Sequence, residues 1–101
     1  MKQRESIFKE KVIKFLKGLP NCWFYKTQEV SLIGIPDIIG CINGKLFALE
    51  LKKDIRSKPS KMQLYILDKV KGASGYAAVT YPEVWNKVKG ELLVLSRSES
   101  S

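Results

Sequence analysis

Histidine is absent from the 101 residues, which excludes His-ligated metal nucleases, Cys/His zinc modules and imidazole acid–base chemistry together. Cysteine is scarce. Cys22 and Cys41 stand nineteen positions apart with no Cys-x-x-Cys, and they read as two buried free thiols of a reducing compartment, with a disulfide as the alternative. No apolar run approaches the length of a membrane span, and the N-terminal stretch is charged and amphipathic, unlike a secretion signal. A cytoplasmic protein with no membrane span is expected. Acidic residues are also few: ten Asp and Glu against eighteen Lys and Arg leave a net charge of +8. That excess sits at the upper end of what solubility asks of so small a chain. It favours a polyanionic partner, nucleic acid above all, with a membrane surface as the other anionic candidate.

The remaining composition is that of an ordinary globule. Apolar residues make up 45%, enough for one domain that buries about two thirds of its unfolded surface. No repeat or linker divides the chain.

The most informative stretch runs from Gly34 to Lys52. Asn43-Gly44 lies between two apolar runs, and both residues tolerate the positive φ that a type I′ turn needs, so two strands are expected to meet there. With a two-residue loop, Ile42 faces Lys45, Cys41 faces Leu46, Ile39 faces Ala48 and Asp37 faces Glu50. Like charges directly opposite are destabilising, so something positive belongs between the two carboxylates. Lys52, two residues beyond Glu50, projects from the same face. Ile38, Ile42, Phe47, Leu49 and Leu51 form the other face. The hairpin is thus apolar on both sides except at its open end, as in sheets covered by helices on both faces. A solvated charge cluster at a strand end is the plain alternative. Burying such charges costs several kcal/mol per ion unless they pair or bind a metal.

Around this hairpin, residues 3–18 read as a helix with Phe8, Val12, Phe15, Leu16 and Leu19 on one stripe. Glu5 falls within the stripe and Glu10 on the far side. Gly18 to Asn21 ends the helix, and Cys22 to Lys26 is an aromatic first strand whose aromatics are expected in the core. Residues 27–33 form a connection that brings Gln28, Glu29 and Ser31 near a substrate. Lys53, Arg56, Lys58 and Lys61 follow Lys52 in a basic loop suited to phosphates, or simply solvated. Ser60 and Gln63 fit a capping box at the start of a helix to about Lys71. Gly75 to Thr80 is a strand, reached from Glu50-Leu51 by a parallel crossover. Pro82 begins a last helix that Gly90 ends, with Glu91 to Leu95 as an edge strand or dimer contact. The domain spans 1–95, and 96–101 is a polar tail expected to be disordered.

Pro36-Asp37, then twelve residues, then Glu50-Leu51-Lys52 resembles the signature of the PD-(D/E)XK nucleases. With Gly34 just before Pro36 and Gln63 downstream, the chain looks most like the virus-type replication-repair nuclease (VRR-NUC) branch, whose small stand-alone members occur in phages and prophages. The resemblance covers about Glu5 to Trp85. It implies an α/β fold with the restriction-endonuclease-like αβββαβ core, a mixed sheet flanked by helices. It implies a site of Glu5, Asp37, Glu50, Lys52 and Gln63, in which Asp37, Glu50, the Leu51 carbonyl and Glu5, directly or through water, hold Mg²⁺, with Mn²⁺ as substitute. The implied activity is DNA hydrolysis to 5′-phosphate and 3′-hydroxyl ends. Small relatives suggest resolution of four-way junctions by a homodimer, since two symmetric cuts need two sites. A flap, end-acting or restriction-type nuclease is the alternative within enzymes. A non-catalytic nucleic-acid-binding module on the same fold is the alternative outside them.

Overall fold

The computed structural model describes residues 4–27 and 34–97, without the side chains of Arg4 and Glu5. Helix α1 (Arg4–Lys17) precedes strands β1 (Cys22–Lys26), β2 (Ile38–Ile42) and β3 (Lys45–Leu51). Helix α2 (Lys61–Gly72), strand β4 (Tyr76–Thr80), a 3₁₀ turn (Pro82–Val84) and helix α3 (Trp85–Arg97) follow. The strands form one mixed sheet in the order β1-β2-β3-β4, antiparallel except between β3 and β4. The fold is therefore an α/β domain with a four-stranded mixed sheet and three helices. Gln28, Glu29 and Ser31 lie outside the described residues. Among the described residues no helix is long and apolar enough to cross a membrane.

The Asn43-Gly44 turn sets the register. Both residues have positive φ, 52° and 84°, and Ile42 pairs with Lys45, Cys41 with Leu46, Ile39 with Ala48 and Ile38 with Leu49. This is the expected two-residue hairpin. Its two faces divide the core. Ile38, Ile42, Phe47, Leu49 and Leu51 pack under α1 and α3 with Phe8, Val12, Leu16, Trp85 and Leu92, and the Trp85 indole stands edge-on between the rings of Phe8 and Phe15. On the opposite face Ala48 and Ala77 lie under Leu67 of α2, with Ile39, Val70 and Val79 at the border. Glu50 shares this second face, because strand side chains alternate.

Three expectations are corrected. First, α3 runs through Gly90 to Arg97, so Glu91 to Leu95 is helix, and Ser96 and Arg97 belong to it and not to a tail; residues 98–101 lie outside the described residues. The buried stripe of Trp85, Val88, Leu92 and Ser96 recurs at helical spacing, and tertiary burial outweighs the roughly 1 kcal/mol cost of a mid-helix glycine. The last turn is tied back to the sheet: the side-chain amides of Asn21 and Asn43 donate to the carbonyls of Ser96 and Leu95, satisfying acceptors that a helix end leaves open. Second, the β1 aromatics are not all core. Phe24 packs on the main core, whereas Trp23 and Tyr25 are 64% and 55% exposed. Third, Cys41 is exposed and Cys22 half-buried, both as free thiols. Cys22 pairs with Ile42 and Trp23 with Cys41, so the two thiols stand on opposite faces of the sheet. Burial, and secondarily Cys41, pushes the Cys22 thiol up.

Candidate functional site

The open end of the β2–β3 hairpin gathers the predicted polar residues. The ladder stops at Ile38–Leu49, one step short of the expected Asp37–Glu50 rung. In place of a ladder bond, the Leu51 N–H donates to Asp37 Oδ2 at 2.7 Å. The expectation gave Leu51 a role through its carbonyl; its N–H is the group that orients Asp37. Asp37 is fixed from the other side as well. Its carbonyl accepts from Thr27 N–H at 2.9 Å, and the Thr27 hydroxyl donates to the carbonyl of Pro36.

Gly34 brings this segment against α2. Its φ is +88°, and a Cβ there would lie 3.0 Å from the Met62 carbonyl oxygen. Only glycine combines that backbone conformation with so close an approach.

Glu50 is 3% exposed. Its Oε2 accepts from Gln63 Nε2 at 2.8 Å and pairs with Lys52 Nζ at 3.2 Å, while the buried Oε1 has no hydrogen-bond partner. Burial, and then the nearby Asp37 carboxylate, raise the Glu50 pKa above its ordinary value; Lys52 and the Asp37 backbone N–H pull the other way without prevailing. An uncompensated carboxylate is the costly outcome that pairing normally prevents. Lys52 is itself held by its N–H, which donates to the Thr80 carbonyl at 2.9 Å and so continues the parallel β3–β4 ladder.

Gln63 does two things at once. Its Oε1 accepts from Ser60 N–H at 2.8 Å and its N–H donates to Ser60 Oγ at 3.1 Å, the expected capping box. Its Nε2 is left for Glu50.

The side chain of Glu5 lies outside the described residues. Its backbone sits in the first turn of α1; a cavity of about 220 Å³ is lined by Ser6 and Lys9 of that helix together with Asp37 and Leu51. Sequence reasoning passed over Ser6 and Lys9. Lys9 was findable, since it follows Glu5 by four residues and so shares its side of the helix. A larger cavity, about 370 Å³, opens between α1, Lys53-Asp54 and the 3₁₀ turn, and neither Asp37 nor Glu50 lines it.

Lys53, Arg56, Lys58 and Lys61 are all exposed. The loop that carries three of them is folded on Asp54, whose Oδ1 accepts from the N–H groups of Arg56 and Ser57 at 2.9 and 3.2 Å. Ile55 N–H reaches Glu83 Oε2 at 3.4 Å, anchoring the loop to the 3₁₀ turn.

Among the described residues no three His, Cys, Asp or Glu side chains converge; Asp37 and Glu50 are two carboxylates. The pair fits a divalent cation on one observation of its own: a buried carboxylate oxygen without a partner, next to a second carboxylate. Two carboxylates, with water and substrate oxygen completing the shell, suit Mg²⁺ better than a full protein cage does. In comparisons with known proteins, no family model, curated protein or solved structure matches the chain.

Proposed function

We propose that the chain is a Mg²⁺-dependent DNA endonuclease of the PD-(D/E)XK type, similar to the VRR-NUC branch, acting on branched DNA as a homodimer. The observation that carries the reading is the unpartnered, buried Oε1 of Glu50 beside Asp37, with Lys52 Nζ 3.2 Å from the other oxygen, Oε2. Asp37 has a structural bond of its own to the Leu51 N–H, but a structural ion pair has no use for a buried carboxylate oxygen left without a partner. The order of elements, with both acids on the hairpin between the first strand and the crossover helix, supports the same reading.

Asp37 and Glu50 would hold the metal, with Glu5 as the further donor from α1. The chemistry supplied by a bound divalent cation would be a nucleophilic water at neutral pH and charge compensation in the transition state. Gln63 keeps Glu50 in one rotamer, and the Leu51 N–H does the same for Asp37. Lys52 brings an ammonium to the reacting phosphate, where it orients the attacking water and offsets charge that develops on the phosphate oxygens. Lys53, Arg56, Lys58 and Lys61 bind flanking phosphates and fix register, with no base preference of their own.

The test is cleavage of a labelled four-way junction, with flap and duplex controls, by wild type and Asp37→Ala in Mg²⁺, Mn²⁺ or EDTA. Paired symmetric nicks lost with chelator and with the substitution are expected. No cutting of any substrate, with binding retained in EDTA, leaves a basic nucleic-acid-binding module.

A further inference from the structure

We propose that the sheet face beside the site carries a stacking platform for unpaired DNA bases, with Trp23 and Tyr25 as its two steps. The proposal deepens the nuclease reading and rests on it for the identity of the ligand as DNA. Trp23 and Tyr25 are 64% and 55% exposed, on a strand where Phe24, between them, faces the core. Two residues apart on one strand, they project from the same face, about 6.8 Å from each other.

That face is also the face of the site. Tyr25 pairs with Ile39, and Ile39 with Ala48; Glu50 is the next residue of β3 on this side. From strand spacing and rise, Tyr25 lies about 12 Å from Glu50 and Trp23 about 17 Å. Leu67 of α2 packs over Ala48 and Ala77, and over β1 the aromatics are exposed.

The chemistry of the patch selects its occupant. β1 and β2 contain no acidic residue. Lys26 pairs with Ile38 and projects from the other face, so the cation on this face is Lys52, two residues beyond Glu50, within a chain of net charge +8. A base has a π-face whatever its identity, and aromatic side chains on a sheet beside basic residues are how single strands are held without sequence preference. A second copy of the chain fits less well. Both rings together offer on the order of 300 Å², against about 800 Å² per partner in a stable interface. The implied substrate class is DNA with an unpaired stretch within a few nucleotides of the cut, as at a frayed junction or flap.

Tryptophan emission gives the test without any cutting. Trp85 is 2% exposed, so Trp23 alone responds to a ligand on the surface. In EDTA, a thymidine oligonucleotide is expected to quench Trp23 emission, and a blunt duplex of equal length to leave it unchanged. Trp23→Leu should weaken oligonucleotide binding about tenfold and duplex binding hardly at all, and Trp23→Phe should restore most of the loss. Tyr25→Leu gives a second, independent reading by electrophoretic shift. Retained binding with silent Trp23 emission and unaffected variants overturns the platform while leaving the nuclease reading intact. Emission that reddens on dilution without DNA would mean that a second copy covers the face, and this also overturns it. Quenching by the oligonucleotide with no cleavage under any metal keeps the platform and removes the nuclease.

Discussion

Gln63 binds Glu50 across 2.8 Å with the end of its amide that the α2 cap does not use. The same side chain therefore fixes a helix start and a buried carboxylate. The two roles separate by substitution. Gln63→Ala removes both and should cost about 1 kcal/mol of stability from the cap alone. Gln63→Glu retains an oxygen for Ser60 N–H but sets a like charge against Glu50, which raises the Glu50 pKa further. The acid limb of the pH–rate profile should move to higher pH in Gln63→Glu; an unmoved limb would mean that Gln63 is only a cap.

Glu50 itself links folding to pH. Its folded-state pKa is raised, so the native state binds more protons than the unfolded state between the ordinary value of 4.5 and the raised one. Stability contributed by protonation is complete below 4.5 and is lost as pH rises through the folded pKa. Glu50→Gln should therefore be more stable than wild type at pH ~7.5 in EDTA, with the difference gone near pH ~4. Mg²⁺ should raise the melting temperature of wild type and leave that of the variant unchanged. Urea unfolding at both pH values checks the first part, and melting with and without Mg²⁺ the second.

Gly34 holds the Pro36-Asp37 segment against α2. Gly34→Ala combines a strained φ of +88° with a 3.0 Å approach to the Met62 carbonyl oxygen, and should cost about 1–2 kcal/mol. Met62→Ala shortens the side chain but moves neither the φ nor the carbonyl. The double variant should recover only part of the loss in urea unfolding; full recovery would place the constraint in the Met62 side chain and not in the backbone.

The basic loop acts on binding and not on folding. Replacing Lys53, Arg56, Lys58 and Lys61 with Ala should change stability by less than about 0.5 kcal/mol per site. The salt dependence of DNA binding should flatten by about 0.9 in log–log slope for each phosphate contact removed. Titrations at several salt concentrations measure it, and an unchanged slope would place the phosphate contacts elsewhere.

The hairpin was legible because its determinants are local. Asn43-Gly44 sets the turn, the turn sets the register, and the register brings Asp37 next to Glu50 on the face of Lys52. The capping box at Ser60 and Gln63 was legible for the same reason. What stayed hidden depends on contacts distant in sequence. Gly90 reads as a stop until Leu92 and Ser96 are seen to find partners in the core, and Trp23 and Tyr25 read as core because nothing local says that β1 lies at the edge with one face open. The donation from Leu51 N–H to Asp37 was out of reach too, since it exists only because the ladder ends one rung early.

Glu50→Gln is the variant whose folding should improve in metal-free buffer while its proposed chemistry fails, so loss of activity in it cannot be ascribed to unfolding. The decisive measurement is single-turnover cleavage of a labelled four-way junction in Mg²⁺ by wild type and Glu50→Gln at equal, saturating protein. Mg²⁺-dependent cutting by wild type and a loss of at least about 10³-fold in the variant are expected, with DNA binding in EDTA preserved in both. Equal cutting by the two proteins would contradict the proposed chemistry, as would the absence of cutting by wild type on every branched substrate.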